Sequence, residues 1–292
     1  IRLCGFTRTR NRKSGDYDLM KFQWNRIDKK SNTPIIKNTE IDDLAEMVLK
    51  DYKPVLLKEP RKIKYEHFLE SYLGANLDYQ HIYYGEDEGQ IFGVTAFNKE
   101  RLKVFDKEAL RTKHILLDKH SVVLDHYITE EGREGLELFT GLHEGGHLWM
   151  HPDVYSEPEE QLSLFGSDKE QIRSVTCCRR SDIENFGSQK RIRTPEEWRE
   201  HQADYFASAI AMPRATFNPL VMETLNAHGI TDGFVIEDAG EDEYYFVKNE
   251  LTSTIVKAYG VSKTAAYVKL RKFGFVKDKK TLNEENSQFR LF

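Results

Sequence analysis

Apolar side chains recur along this chain at two periods, and the switches between them mark out its elements. Ile41, Leu44, Ala45, Val48, Leu49 and Tyr52 repeat every three or four residues, which predicts an amphipathic helix over Thr39 to Tyr52. Tyr65 to Leu73 predicts a second helix, stopped by Gly74. Leu77 to Asp125 reads instead as short strands: Gln90-Ile-Phe-Gly-Val-Thr-Ala96, His114-Ile-Leu-Leu-Asp118 and His120-Ser-Val-Val-Leu-Asp125. A polar turn over Thr129 to Gly135 follows. Helical spacing then returns through Leu136, Phe139, Leu142, His143, Gly146, His147 and Met150.

The next helix carries its own start and stop signals. Thr194 suits an N-cap, Pro195 the first turn, Glu197 completes a capping box, and Pro213 ends the run. Ala203, Phe206, Ala207 and Ile210 form its apolar stripe. Beyond it, Phe234 to Val247 reads as a hairpin around an acidic turn. Ser253 to Tyr259, Gly260, then Ser262 to Phe273 read as two helices joined by a tight turn, a helix-turn-helix-like pair. Val256, Val261, Ala265, Val268 and Leu270 would supply its core.

Composition narrows the class. The chain has 292 residues, 39% hydrophobic, 12% aromatic and 31% charged, with formal net charge −5. That suits one or two globular domains. No apolar run approaches the ~20 residues of a membrane span, so no membrane partner is expected. The stretch 1–30 is a basic arm, with nine Lys/Arg against three Asp and no apolar core of a secretion signal. Three cysteines argue against a disulfide framework, and a cytoplasmic location is expected. Thr231 to Glu250 carries seven acids and one lysine; Leu251 to Lys280 carries eight Lys/Arg and one Asp. The basic block could bind nucleic acid, or the adjacent blocks could pair with each other.

The chemistry lies in His143-Glu144-Gly145-Gly146-His147, an H-E-x-x-H motif. On a helix, residues i and i+4 share a face, so both imidazoles can reach one ion. Glu144, beside the first histidine, is placed to act as general base toward a water activated there. Two adjacent glycines cost about 1 kcal/mol each inside a helix, which suggests that backbone passes close to a ligand. A zinc site needs a third protein ligand. Glu200 is the main candidate, with Asp204 on the same helix face, placed to accept the outer N–H of a ligand histidine. Asp153 competes, at the position where extended H-E-x-x-H motifs carry a later ligand, though Met150 stands where those motifs need glycine. His151 is expected to line the cleft or to cap its helix. His201, Tyr205 and His228 are candidates to steady an oxyanion. The pair Cys177 and Cys178 reads as a redox switch, as soft-metal ligands, or as two buried small side chains. Arg179 and Arg180 could contact substrate or be solvated.

Three segments together resemble one family. His143-Glu-Gly-Gly-His-Leu-Trp-Met-His151, preceded by Phe139-Thr140, resembles the active-site helix of the ImmA/IrrE metallopeptidases. Glu200-His-Gln-Ala-Asp-Tyr-Phe-Ala207, followed by Ala211-Met-Pro213, is similar to that family's E-x-x-A-N-x-F-A-x-x-L-L-M-P signature. Ala258-Tyr-Gly-Val-Ser-Lys263 with Leu270-Arg-Lys-Phe-Gly274 resembles its distal F-G-V-S…R-L-x-x-L-G segment. The likeness runs from about Thr39 to Val276. It departs at Asp204, where the family usually has Asn, and in the 53-residue interval from His147 to Glu200, which requires an insertion at about 152–193.

The resemblance implies an α+β, zincin-like domain over 31–215, with a small mixed sheet, an active-site helix and an edge strand able to hold an extended peptide. A C-terminal subdomain over 216–280 and a disordered tail over 281–292 would follow. It further implies a zinc-dependent endopeptidase that cleaves a helix-turn-helix repressor, an anti-repressor role; manganese or another divalent ion could replace zinc. Two other classes stay open. One is a regulator that binds DNA or a repressor without proteolysis. The other is a metal hydrolase of small substrates, which would have a closed pocket.

Overall fold

The computed structural model describes residues 6–9, 19–22, 24–85, 89–155, 175–179 and 192–283. Within them the chain is a mixture of helices and small sheets, and no helix is long and apolar enough to cross a membrane.

Strands β1 (Phe6–Thr9) and β2 (Leu19–Phe22) pair antiparallel, so the basic arm contains a two-stranded ribbon. Helix α1 (Asn38–Tyr52) buries Ile41, Leu44, Ala45, Val48 and Leu49, the stripe its sequence spacing predicts. A short α2 (Tyr65–His67) widens into a π-turn over Phe68–Tyr72, and Gly74 ends it at φ 69°. Then come β3 (Asn76–Gln80), β4 (Ile91–Ala96), β5 (Glu100–Asp106), β6 (Arg111–Leu117) and β7 (Ser121–Asp125). Helix α3 (Glu134–Met150) carries the H-E-x-x-H motif and is followed by α4 (Pro152–Tyr155).

The interval expected to hold an insertion is described only in part. Its segment Val175–Arg179 forms β8 and joins the sheet, giving strand order β3-β7-β4-β8 with only β3 and β7 parallel. Every residue of β4 and β7 is buried, because both faces of the sheet are covered. One face, with Phe92, Val122 and Leu124, joins the main core under the helices. The other, with Ile91, Val94, Ala96 and Val123, packs on Leu102, Ile115 and Leu117 of the β5–β6 hairpin. The alternation of Val122, Val123 and Leu124 between the two clusters is the period-2 rule of a strand.

Helix α5 (Pro195–Ala211) begins as its sequence signals predict: Thr194 Oγ1 accepts from Glu197 N–H at 3.1 Å, and Glu197 returns a bond to the cap N–H. Helix α6 (Arg214–Ala227) follows directly after Pro213. The expected hairpin over 234–247 is not formed. Val235–Ile236 (β9) instead pairs in parallel with Val276–Lys277 (β10), and the acidic stretch is helical, as α7 (Glu241–Tyr245) and a π-turn over Phe246–Leu251. Three acids at the start of α7 favour that choice, since carboxylates are stabilised at a helix N-terminus. Helices α8 (Thr252–Tyr259) and α9 (Lys263–Lys272) are joined through left-handed Gly260 at φ 70°, with Ser262 capping α9. Of the expected core positions, Val261, Ala265 and Leu270 are buried, while Val256 and Val268 are only partly so. Residues 279–283 continue as a helical turn, so the first part of the expected tail is ordered; 284–292 lie outside the described residues.

Candidate metal centre

Two helices build the centre, and glycine lets them meet. Helices α3 and α5 cross where Gly146 faces Ala203; a Cβ on Gly146 would stand 3.2 Å from the Ala203 Cα. One turn further along α3, Trp149 stacks on Phe206 with ring centres 5.2 Å apart. Ala203, Phe206, Ala207 and Ile210 are all buried. Burying large apolar side chains contributes roughly 1.5–3 kcal/mol each, so this seam, rather than any ion pair, fixes the two helices. From sequence, the glycine pair points to close approach of a ligand. The structure gives a different reason: Gly146 admits α5, and Gly145 admits Leu69, whose Cδ2 would be 2.8 Å from an added Cβ.

That crossing brings three side chains to one point. His143 Nε2 and His147 Nε2 are 3.0 Å apart, and Glu200 Oε2 lies 3.3 Å from the first and 3.4 Å from the second. A tetrahedral ion with bonds of about 2.0–2.1 Å would separate its ligands by about 3.3 Å. The three separations therefore fit three corners of such a site. Among the described residues no hydrogen-bond donor meets the buried Glu200 Oε2, and both imidazoles are fully buried. Two nitrogens and a carboxylate oxygen are also a suitable donor set for zinc. Burial opposes ionisation of Glu200, but the imidazoles of His147 and His143 together outweigh it and hold the carboxyl below its usual range.

Behind the ligands, hydrogen bonds fix each ring. His143 Nδ1 is 2.9 Å from Asp204 Oδ1. With Nδ1–H donating to that carboxylate, Nε2 presents its lone pair to the centre. Burial disfavours a charged His143, yet Asp204 and then Glu200 raise its pKa well above the ordinary value. His147 Nδ1 lies 3.2 Å from His151 Nδ1, His151 Nε2 lies 2.9 Å from Gln202 Oε1, and Gln202 Nε2 donates to Pro34 O at 2.7 Å. With His147 Nε2 presented to the centre, its Nδ1–H donates to His151 Nδ1, and His151 Nε2–H donates to Gln202 Oε1. Burial favours the neutral form of His151, lowering its pKa to about 3.

Glu144 occupies the side of α3 facing the sheet. Thr95 Oγ1 donates to Glu144 Oε2 at 2.5 Å, and Cys178 N–H donates to Oε1 at 3.2 Å. Gly93 leaves the space the carboxylate fills, since a Cβ there would stand 2.7 Å from Oε1. The β4–β8 register shifts between Ile91 and Gly93, an irregularity of the kind found beside active sites. Burial raises the Glu144 pKa, against the nearby imidazoles.

Several expected site residues lie elsewhere. His151 neither lines a cleft nor stays solvent-facing; it is fully buried behind His147, although it does cap α3. Tyr205 is turned toward α1, donating to Asp42 Oδ2 at 2.9 Å, and His201 pairs with Asn38 Oδ1 at 2.9 Å. They sit one residue past Asp204 and Glu200, about 100° around the helix, so the face that serves the ligands cannot serve them too. His228 pairs with Glu250 Oε2 at 2.8 Å and packs on Phe246, away from the centre. Asp153 is exposed on α4, and the groups able to hold an ion do not include it. Cys178 is buried, as one sequence reading expected, but beside Glu144 and His143 rather than in inert surroundings. The side chains of Cys177, Arg179 and Arg180 lie outside the described residues. Thr95, Gly93 and Gln202 were missed. Gln202 adjoins the ligand motif and could have been suspected; Thr95 and Gly93 sit in an ordinary strand pattern. Comparison with protein-family models and with curated proteins gave no match.

Proposed function

We propose that this chain is a metal-dependent endopeptidase in which His143, His147 and Glu200 hold a divalent ion, zinc or a close substitute, and Glu144 is the general base. The observation that carries the reading is the placement of Glu144: fully buried, oriented by two donors, and with a carboxylate oxygen within 4.8 Å of a nitrogen of His143, itself one of three converging ligand residues. When bound, the ion would supply Lewis acidity, lowering the pKa of a water and polarising the substrate carbonyl.

The protein's own groups do the rest. Glu144 takes the proton of the attacking water and returns it to the departing amine; its burial makes the carboxylate a stronger base than one in solvent. Asp204 and the His151–Gln202 pair keep both imidazoles in the tautomer that presents Nε2. Among the described strands β8 is the edge of its sheet and lies against Glu144, so a peptide adding to that edge by backbone pairing would pass the centre in extended form. This supports a polypeptide substrate over a small molecule.

The zincin-like fold and the substrate class follow from the ImmA/IrrE resemblance: a helix-turn-helix repressor whose cleavage relieves repression. The test is incubation of zinc-loaded chain with a panel of such repressors, read by intact mass. Wild type cleaves at least one and Glu144→Gln does not, while both bind zinc equally. Equal cleavage by the two would refute the assigned base.

A further inference from the structure

Two positions of β4 face helix α3, and both meet Glu144. Side chains of a strand alternate between its faces, so Gly93 and Thr95 look toward α3 while Val94, between them, packs with Val123 and Leu117 on the other side. The Thr95 hydroxyl is fully buried and has one proton for two oxygens of one residue: Glu144 Oε2 at 2.5 Å and the Glu144 carbonyl oxygen at 3.3 Å. The shorter contact has the length of a charge-assisted bond, about 2.5–2.7 Å, so the proton belongs to the carboxylate. At Gly93 a Cβ would stand 2.7 Å from Glu144 Oε1, 2.9 Å from Glu144 Cγ and 2.9 Å from Thr140 Cγ2. The oxygen alone could swing aside; the other two atoms could not without moving α3.

Resting on the endopeptidase reading above, we propose that Thr95 is a positioning residue for Glu144, holding its carboxylate in the space that Gly93 leaves. A glutamate turns about three bonds, and a reacting group displaced by about 1 Å can lose ~100-fold in rate. The carboxylate can accept about four hydrogen bonds. Thr95 takes one on Oε2 and the Cys178 N–H one on Oε1, which leaves lone pairs for the attacking water. The Cys178 bond is the longer, at 3.2 Å, and comes from the backbone, so Thr95 is the part of the restraint that side-chain chemistry sets. Its strand is a firm support, since β4 is paired on both sides, with β7 and with β8. Valine has the shape of threonine without the donor; serine keeps the donor without the methyl.

Kinetics on a repressor that wild type cleaves test the role. Thr95→Val should lower kcat by about 10–100-fold, the usual loss for an outer-shell partner, with KM and zinc affinity unchanged, and Thr95→Ser should restore most of it. A wild-type kcat in Thr95→Val, with Glu144→Gln inactive, overturns the proposal and leaves the endopeptidase reading intact. A fall in kcat matched by a fall in zinc affinity marks a merely structural role and overturns it as well. Cleavage of no repressor by zinc-loaded wild type overturns that reading and this proposal together. A second measurement needs no metal. In the metal-free chain Thr95→Val should lower the urea midpoint, because Glu144 Oε2 stays buried without its donor, and should not lower it in a Glu144→Met background, where no acceptor remains. Equal shifts in both backgrounds would show that Thr95 does not hold the carboxylate.

Discussion

His143 and Asp204 lie 61 positions apart in the chain, yet Nδ1 of one stands 2.9 Å from Oδ1 of the other inside the protein. The bond joins the H-E-x-x-H helix to the second helix and fixes which nitrogen of His143 faces the centre. Asp204→Ala should therefore lower zinc affinity by about 10–100-fold, the usual effect of losing an outer-shell partner. Asp204→Asn, which can still accept through its amide oxygen, should lose less. Competition with a chromophoric chelator measures both; equal affinities in wild type and Asp204→Ala would rule out the orienting role.

Glu200 and Asp153 are separated by the same measurement. Glu200→Ala removes the oxygen found 3.3 and 3.4 Å from the two Nε2 atoms and should weaken the ion further than Asp204→Ala does. Asp153→Ala should bind zinc as wild type does, because Asp153 is exposed and outside the cluster. The reverse order of effects would move the third ligand to Asp153.

Gly146 sets two opposing terms against each other. Alanine would gain about 1 kcal/mol of helix propensity. Its Cβ, however, would meet the Ala203 backbone at 3.2 Å, and overpacking a tight seam costs typically 1–3 kcal/mol. The backbone of α5 cannot swing aside as a side chain can, so the second term should win. Gly146→Val should lower the urea midpoint more than Gly146→Ala, and both should weaken zinc binding as α5 retreats. A stabilised Gly146→Val would show that the helices do not meet there.

Lys269 gives a pH dependence away from the metal ligands. Burial, opposed by Asp42, lowers its pKa to about 7 in the folded chain, and its ammonium donates to Ser208 O at 3.1 Å. An unfolded lysine titrates near ~10.4. Between those values the unfolded chain binds more protons, so stability rises with pH, by at most ~1.4 kcal/mol per pH unit. Below about 7 both states are protonated and this contribution is flat. Lys269→Met should abolish the rise between pH 7 and 10 in urea titrations. An unchanged slope would show that the rise has another source.

The basic C-terminal block should not bind duplex DNA appreciably. Lys269 is buried, Arg271 is held by Glu237 and by Asp278 at 2.7 Å, and Tyr267 donates to Glu237 at 2.7 Å. Arg271 and Tyr267 thus tie the basic block to Glu237 of the acidic one within the fold. Fluorescence anisotropy with a labelled duplex should show weak binding that vanishes near 0.15 M salt. Binding that persists there, and survives Glu144→Gln, would favour the non-proteolytic regulator.

Much of this was legible locally. Helix spacing marked α1 and α3, and the Thr194–Glu197 capping box marked the start of α5, because each depends on residues within a few positions of one another. The pairing of His143 with His147 is likewise a property of one helix. The acidic stretch misled because seven acids with interleaved aromatics suit a turn or a helix, and only β10, 40 residues later, occupies the β9 edge that a hairpin would have used.

The sequence by itself determined which residues could act: two imidazoles and a carboxylate on one helix, two carboxylates on one face of another, each a consequence of the 3.6-residue turn. Only the tertiary structure decided which of them meet. The meeting of Glu200 with His143 and His147, the tie of His151 to Gln202 and the placing of Thr95 and Cys178 around Glu144 all depend on contacts between segments far apart in sequence. Those contacts are set by where helices can approach closely and strands can pair, and no local pattern encodes them.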